Sequence, residues 1–279
     1  MEIKIGMDVE FMPFDGKRMV YARGPKSPRY LRSTSCDEFG HCVEIRPRES
    51  TDEFELIGNI MRAMSDLPKE FSYRAMNAVE VPEADFIELL RLQRRKDVPD
   101  CRNVYGKDIL NSSDFEKAAI QRGNKVLYCG MHLHVSTSLT KNYEGKNGHA
   151  SMVVDVPIPY ILLTQLFDMY MFTNLMKDLN FSCGRYRSPG FFETKTMSHF
   201  EYRSLGSSAF TPERVAIIFR MANLIVTNMD ALSVCLNPEL MSKGLRANAG
   251  GYIRELDGLT RSLAATKPYD GDLLKIWSL

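Results

Sequence analysis

The chain has 279 residues and a net charge of +1. Hydrophobic residues make up 44% and charged residues 25%, a globular balance that excludes a disordered or fibrous chain. The near-neutral charge gives no bulk electrostatic drive towards nucleic acid or an anionic membrane, so anion handling falls to local arginines.

The N-terminal stretch "MEIKIGMDVEF" alternates apolar and polar residues and has no long apolar core, so it reads as a strand and not as a signal peptide. "MVYAR" and "HCVEIRP" read as further strands, the second stopped by Pro47, which cannot donate to a central ladder. In "ESTDEFELIGNIMRAM" Ser50 and Glu53 fit a capping box. Leu56, Ile57, Ile60, Met61 and Met64 then form one apolar helical face. Residues 82–122 are polar and weakly periodic, which suggests short helices and an irregular excursion.

"KVLYCGMHLHVSTSL" is the strongest strand signal, and "NYEGKNGH" after it reads as a polar loop. The greasy run "VPIPYILLTQLFDMYMFTNLM" is interrupted by prolines, Asp168 and amides. It predicts a buried helix from about Pro159 towards Leu179, not a membrane span. "GRYRSPG" reads as a loop or strand edge and "HFEYRSL" as a short strand. "TPERVAIIFRMANLIVTNMDAL" reads as a buried helix with Thr211 as N-cap and Pro212 at its first position. The tail, roughly 237–265, reads as more helix. The six cysteines (Cys36, Cys42, Cys101, Cys129, Cys183, Cys235) show no CxxC spacing, consistent with reduced thiols in a cytoplasmic compartment.

No repeat or linker divides the chain. The expectation is a single catalytic domain over 1–279, with strand-rich segments at 1–50 and 125–210 and a helical part at 211–279. Strands and helices mix without regular β-α alternation, which predicts an α+β fold with a largely antiparallel sheet.

Four polar pairs share one spacing. Asp8 and Glu10, Glu44 and Arg46, His132 and His134, and Glu201 and Arg203 each stand two apart on a predicted strand, where i and i+2 point the same way. The residues between them, Val9, Ile45, Leu133 and Tyr202, are apolar and suit an opposite face packed on helices. Singly, each pair has a plain reading: a solvent-facing strand edge for Asp8 and Glu10, surface ion pairs for the two Glu–Arg pairs, satisfied histidines for His132 and His134. In one sheet they would give four carboxylates, two imidazoles and two guanidiniums on one face. Crowded carboxylates resist ionising unless a cation sits among them, and a hard divalent cation prefers such oxygens with an occasional imidazole. Arginines suit phosphate oxygens. Together this is the inventory of a nucleotide-handling phosphoryl-transfer site, to which Arg185 and Arg187 in "GRYRS" would add two donors.

In this order, D-x-E, E-x-R-P, G-x-H-x-H and E-x-R, the motifs resemble the carboxylate–amine ligases of the glutamine synthetase and glutamate–cysteine ligase fold, and most nearly the phage carboxylate–amine ligase family (type 2). The likeness spans Gly6 to about Ser208. It implies a curved antiparallel sheet forming an open half-barrel or funnel, with helices on the convex side. ATP would enter at one end and substrates at the other, with two or three Mg²⁺ or Mn²⁺ ions between. By the same resemblance Asp8, Glu10, Glu44, His132 and Glu201 would be metal ligands, and Arg46 would face substrate or phosphate. His134 would contact substrate or phosphate, and Arg203 would stabilise the transferred phosphoryl group.

The implied reaction converts a carboxylate to an acyl phosphate at the expense of ATP, then lets an amine displace phosphate to form an amide. Glu44 or an acid in the excursions would serve as general base. Substrates would be small-molecule or peptide carboxylates and amines, in the cytoplasm (the host's, if phage-encoded). No membrane or bulk nucleic-acid partner is expected, and an oligomer is compatible. Glutamine synthetase's separate small N-terminal domain has no counterpart in the sequence. Two other readings are a zinc hydrolase using the HxH pair, for which so many acids and arginines are surplus, and a non-catalytic scaffold retaining the fold.

Overall fold

Ile3, Ile5, Met7, Val9 and Phe11 are all buried, and they make the first segment one face of a long central strand in a computed structural model of the protein. The structure describes residues 1–19, 34–36, 42–80, 103–104, 107–108, 126–145, 148–175, 190–236 and 246–265. Its strands are β1 (Glu2–Asp15), β2 (Arg18–Met19), β3 (Thr34–Cys36), β4 (Val43–Ile45), β5 (Ser72–Arg74), β6 (Ala78–Glu80), β7 (Asn103–Val104), β8 (Lys107–Asp108), β9 (Val126–Tyr128), β10 (Gly130–Gly145), β11 (Gly148–Asp155), β12 (Phe191–Thr196) and β13 (His199–Gly206).

Among the described residues eleven of these form one sheet. Its path is β3-β4-β1-β10-β13-β12-β7-β8, with β11 on β10 and with β2 and β5 on β1; β6 and β9 pair separately. Every described pairing is antiparallel. The fold is thus a mixed one, an antiparallel sheet with helices, as the interspersed pattern predicts.

The helices are α1 (Glu53–Ser65), α2 (Tyr160–Phe167), α3 (Pro212–Thr227), α4 (Met229–Ser233) and α5 (Arg246–Ala265). Their apolar residues, among them Leu56, Ile60, Leu163, Phe167, Val215 and Ile218, join one core with Met7, Val9, Leu133, Phe200 and Tyr202 from the strands. All four residues between the polar pairs are fully buried, so the opposite face of those strands is turned away from the core. Burying a large apolar side chain contributes about 1.5–3 kcal/mol, so this packing sets which face is which.

Several local expectations are corrected. Asp52, not Ser50, caps α1, accepting from the Glu55 amide at 2.9 Å. Ser50 is instead bridged to Ile5 through both backbone groups, at 2.8 and 2.9 Å, so the chain is still in extended pairing there. The buried face of α1 runs through Leu56, Asn59, Ile60, Ala63 and Met64, leaving Met61 40% exposed. The expected loop at "NYEGKNGH" is the end of a hairpin, because Lys141–Gly145 continue β10 by pairing with β11.

The helix expected from Pro159 to Leu179 is α to Phe167 and α again over Thr173–Leu175, beyond which it lies outside the described residues. A π-helical turn, Asp168–Phe172, lies between, where Asp168 Oδ1 accepts the Tyr202 hydroxyl at 2.5 Å and ties the helix to β13. Thr211 caps α3 as expected, accepting from the Arg214 amide at 3.2 Å. The helix stops at Asn228, whose amide returns to the Leu224 carbonyl at 3.1 Å. The "MVYAR" strand beyond Met19, which lies in β2, most of 82–122 and the "GRYRS" arginines lie outside the described residues. No described helix is long and apolar enough to cross a membrane.

Candidate functional site

Register brings the polar pairs together. Across β1–β10 Asp8 stands opposite His132. Across β1–β4 Glu10 stands opposite Glu44, and across β10–β13 His134 stands opposite Glu201. A bulge between Met131 and Leu133 sets two residues of β13 against one of β10, which returns Leu205 to the core and leaves Arg203 on the polar side.

At the centre is His132, 3% exposed. Its Nδ1 is 3.1 Å from a Glu201 oxygen and 3.4 Å from a Glu44 oxygen, and its Nε2 is 3.8 Å from a Glu10 oxygen. The second oxygen of each carboxylate is held by a donor. The Gly130 amide donates to Glu10 at 2.5 Å. Arg46 donates to Glu44 through Nε and Nη2, at 2.8 and 2.5 Å. Lys195 Nζ is 2.7 Å from Glu201. Arg203 lies 3.5 Å from Glu201 and donates to Glu193 at 2.6 Å. Three buried acids thus converge on one imidazole while cations line the rim.

Burial alone would raise the Glu44 carboxyl, but His132 and Arg46 outweigh it and hold the group at about 2. Glu201 is likewise driven well below the usual carboxylate range, against its burial, by His132, Arg203, His134 and Lys195. Lys195 is raised, because Glu193 and Glu201 overcome the effect of its partial burial. Glu44 and Glu201 therefore stay ionised in a buried place, as ligands for a hard cation must. Glu10, Glu44 and His132 offer ligand atoms all within 4.8 Å of one another, an oxygen-rich set with one imidazole that fits Mg²⁺ or Mn²⁺.

The two histidines separate. The His134 ring points to Asp8, with Nε2 3.1 Å from Oδ2, and to His199, with Nδ1 3.0 Å from Nε2. Asp8 therefore sits beside His134 and, at 3.9 Å, Arg46, one step from the His132 cluster. All eight paired residues lie on the same face of the sheet, while Arg185 and Arg187 fall outside the described residues.

The sequence reading missed Glu193, Lys195, His199 and Glu49. Three of these were available by the rule already in use. "ETK" in "FFETKT" is another i, i+2 pair, and His199 precedes Glu201 by two on the same strand. Glu49 follows β4 in irregular chain, and only the structure brings it to His199, 3.2 Å away.

No family model matches the chain, and no curated protein matches it. Among solved structures, the chain is similar to a bifunctional glutathione synthetase from Pasteurella multocida, with 14% identity and a TM-score of 0.46 over 99% of this chain. The chain spans 46% of that protein's length. At that distance the side chains of the site, not the likeness, carry the functional reading.

Proposed function

We propose that the protein is an ATP-dependent carboxylate–amine ligase of the phage type resembled by its motifs, forming an amide through an acyl phosphate with release of ADP and phosphate. The observation that carries this is the convergence of Glu10, Glu44 and Glu201 on His132 under a rim of Arg46, Lys195 and Arg203. In this reading the sheet is the half-barrel of that fold.

Glu10, Glu44, His132 and Glu201, with Asp8 beside them, would hold the divalent ions. Bound there, Mg²⁺ or Mn²⁺ would offset the charge of the nucleotide phosphates. Arg203 already leans on Glu193 and Glu201 and needs only a side-chain rotation to meet an incoming phosphoryl oxygen with a planar fork of donors. Arg46, 56% exposed at its side chain against 17% for Arg203, is the more accessible of these two guanidiniums to solvent-borne substrate. Lys195 adds a point charge. An ammonium nucleophile must shed a proton; Glu44, held at about 2, is a weak acceptor, which leaves Asp8 as the other carboxylate beside Arg46.

A hydrolase built on the HxH pair would need both imidazoles on one ion. The rings instead face different partners, which favours the ligase. The test is a phosphate-release screen of candidate acids and amines with ATP and Mg²⁺. A pair that drives ADP formation in wild type but not in Glu201→Ala supports the proposal. Turnover that survives Glu201→Ala removes it.

A further inference from the structure

A second group of side chains lies beside the acid cluster, and of it the ligase reading uses only His134, as a substrate or phosphate contact. His134 Nδ1 is 3.0 Å from His199 Nε2, and His199 Nε2 is 3.2 Å from Glu49 Oε1. The three offer ligand atoms that all lie within 4.8 Å of one another. We propose that Glu49, His134 and His199 form a separate site for Zn²⁺ or a similar nitrogen-preferring divalent cation.

The chemistry of the donors distinguishes the two sites. The His132 cluster has three carboxylates to one imidazole and suits a hard ion. Two imidazoles and one carboxylate suit zinc, which takes His₂Glu sets with an open fourth position. The spacing also fits. Ligands bonded at about 2.0–2.1 Å in a tetrahedron stand about 3.3 Å apart, close to both measured separations.

The surroundings are those of metal ligands. His134 is 8% exposed, and its other nitrogen, Nε2, stands 3.1 Å from Asp8 Oδ2. A carboxylate at the far nitrogen is the usual way a ligating imidazole is oriented. Ser136 Oγ donates to Glu49 Oε2 at 2.8 Å, orienting that carboxylate and leaving Oε1 on the His199 side. Two ring nitrogens at 3.0 Å share a proton in the metal-free protein, a place a cation can take between their lone pairs with Glu49 as a third ligand. The His199 and Glu49 side chains are 29% and 25% exposed, so an ion could enter and keep a water.

The site is tested with Co²⁺ as a spectroscopic substitute. Chelator-stripped full-length protein is titrated with Co²⁺ under excess Mg²⁺, which occupies the acid cluster. The expected result is one equivalent bound with the intense visible bands of a tetrahedral ion, displaced by Zn²⁺. His199→Ala and the near-isosteric Glu49→Gln should each lower affinity by about 10–100-fold and lose those bands. His132→Ala should keep them while weakening Mg²⁺ binding, so failure of the ligase reading and failure of this one appear in different variants. Wild-type protein without tetrahedral Co²⁺, or unchanged bands in either folded His199→Ala or Glu49→Gln, would overturn the assignment.

Discussion

Lys195 Nζ lies 2.7 Å from Glu201 and 2.8 Å from Glu193, so one ammonium bridges two carboxylates that the β12–β13 register sets directly opposite. Like charges so placed repel, and the lysine offsets that repulsion in the metal-free protein. Lys195→Met should lower metal-free stability by about 1 kcal/mol, a modest figure because the ammonium and Glu193 are partly exposed. Saturating Mg²⁺ or Mn²⁺ should then raise the variant's melting temperature more than the wild type's. Equal cation-induced rises in a thermal-shift assay would show that Lys195 does not stand in for a bound ion.

Removing a central ligand should silence the chemistry without unfolding the sheet. Glu201→Ala and His132→Ala should each lower ATP turnover by about 100-fold or more with a working substrate pair, since the remaining carboxylates lose the geometry that holds the ion. Steady-state phosphate release measures this, with circular dichroism as the check on folding. Near-normal rates would place the reaction elsewhere.

Acid should destabilise the metal-free protein through Glu44. Its carboxyl is held at about 2 in the folded chain against an ordinary 4.5, so the native state prefers the ionised form. The stabilisation, about 3 kcal/mol in order of magnitude, is fully present above pH 4.5 and is lost as pH falls towards 2. Glu44→Gln should flatten that part of the stability curve. Chemical denaturation at a series of pH values would show it, and parallel wild-type and variant curves would contradict it.

Gly6 offers a probe of the second site from a distance. A Cβ there would meet Glu49 Cγ at 2.7 Å and His134 Cβ at 3.5 Å. Because the near contact is a flexible side chain, Gly6→Ala should displace Glu49 at a stability cost of about 1 kcal/mol or less while weakening Co²⁺ or Zn²⁺ binding. Isothermal titration with the stripped variant tests this. An unchanged affinity would mean that Glu49 is not a ligand.

Strand alternation made most of the site legible. Val9, Ile45, Leu133 and Tyr202 mark the core face, so Asp8, Glu10, His132, His134 and Glu201 had to share the other, wherever the strands paired. The same logic applied to β12 would have found Glu193 and Lys195, but "FFETKT" is short and its charged half resembles a turn. Ser50 misled for a non-local reason. It carries the capping-box signature, yet its backbone is taken by a bridge to Ile5, a contact 45 positions away along the chain.

By itself the sequence determined which residues face the core and which face the site, because a period of two assigns every side chain of a buried strand to one side. Only the tertiary structure decided partnership. Register set Asp8 opposite His132, yet the carboxylate reaches diagonally to His134. Irregular chain after β4 brought Glu49 to His199. Those pairings depend on which strands lie adjacent and where the bulge on β13 falls, and spacing along one strand carries no information about its neighbour.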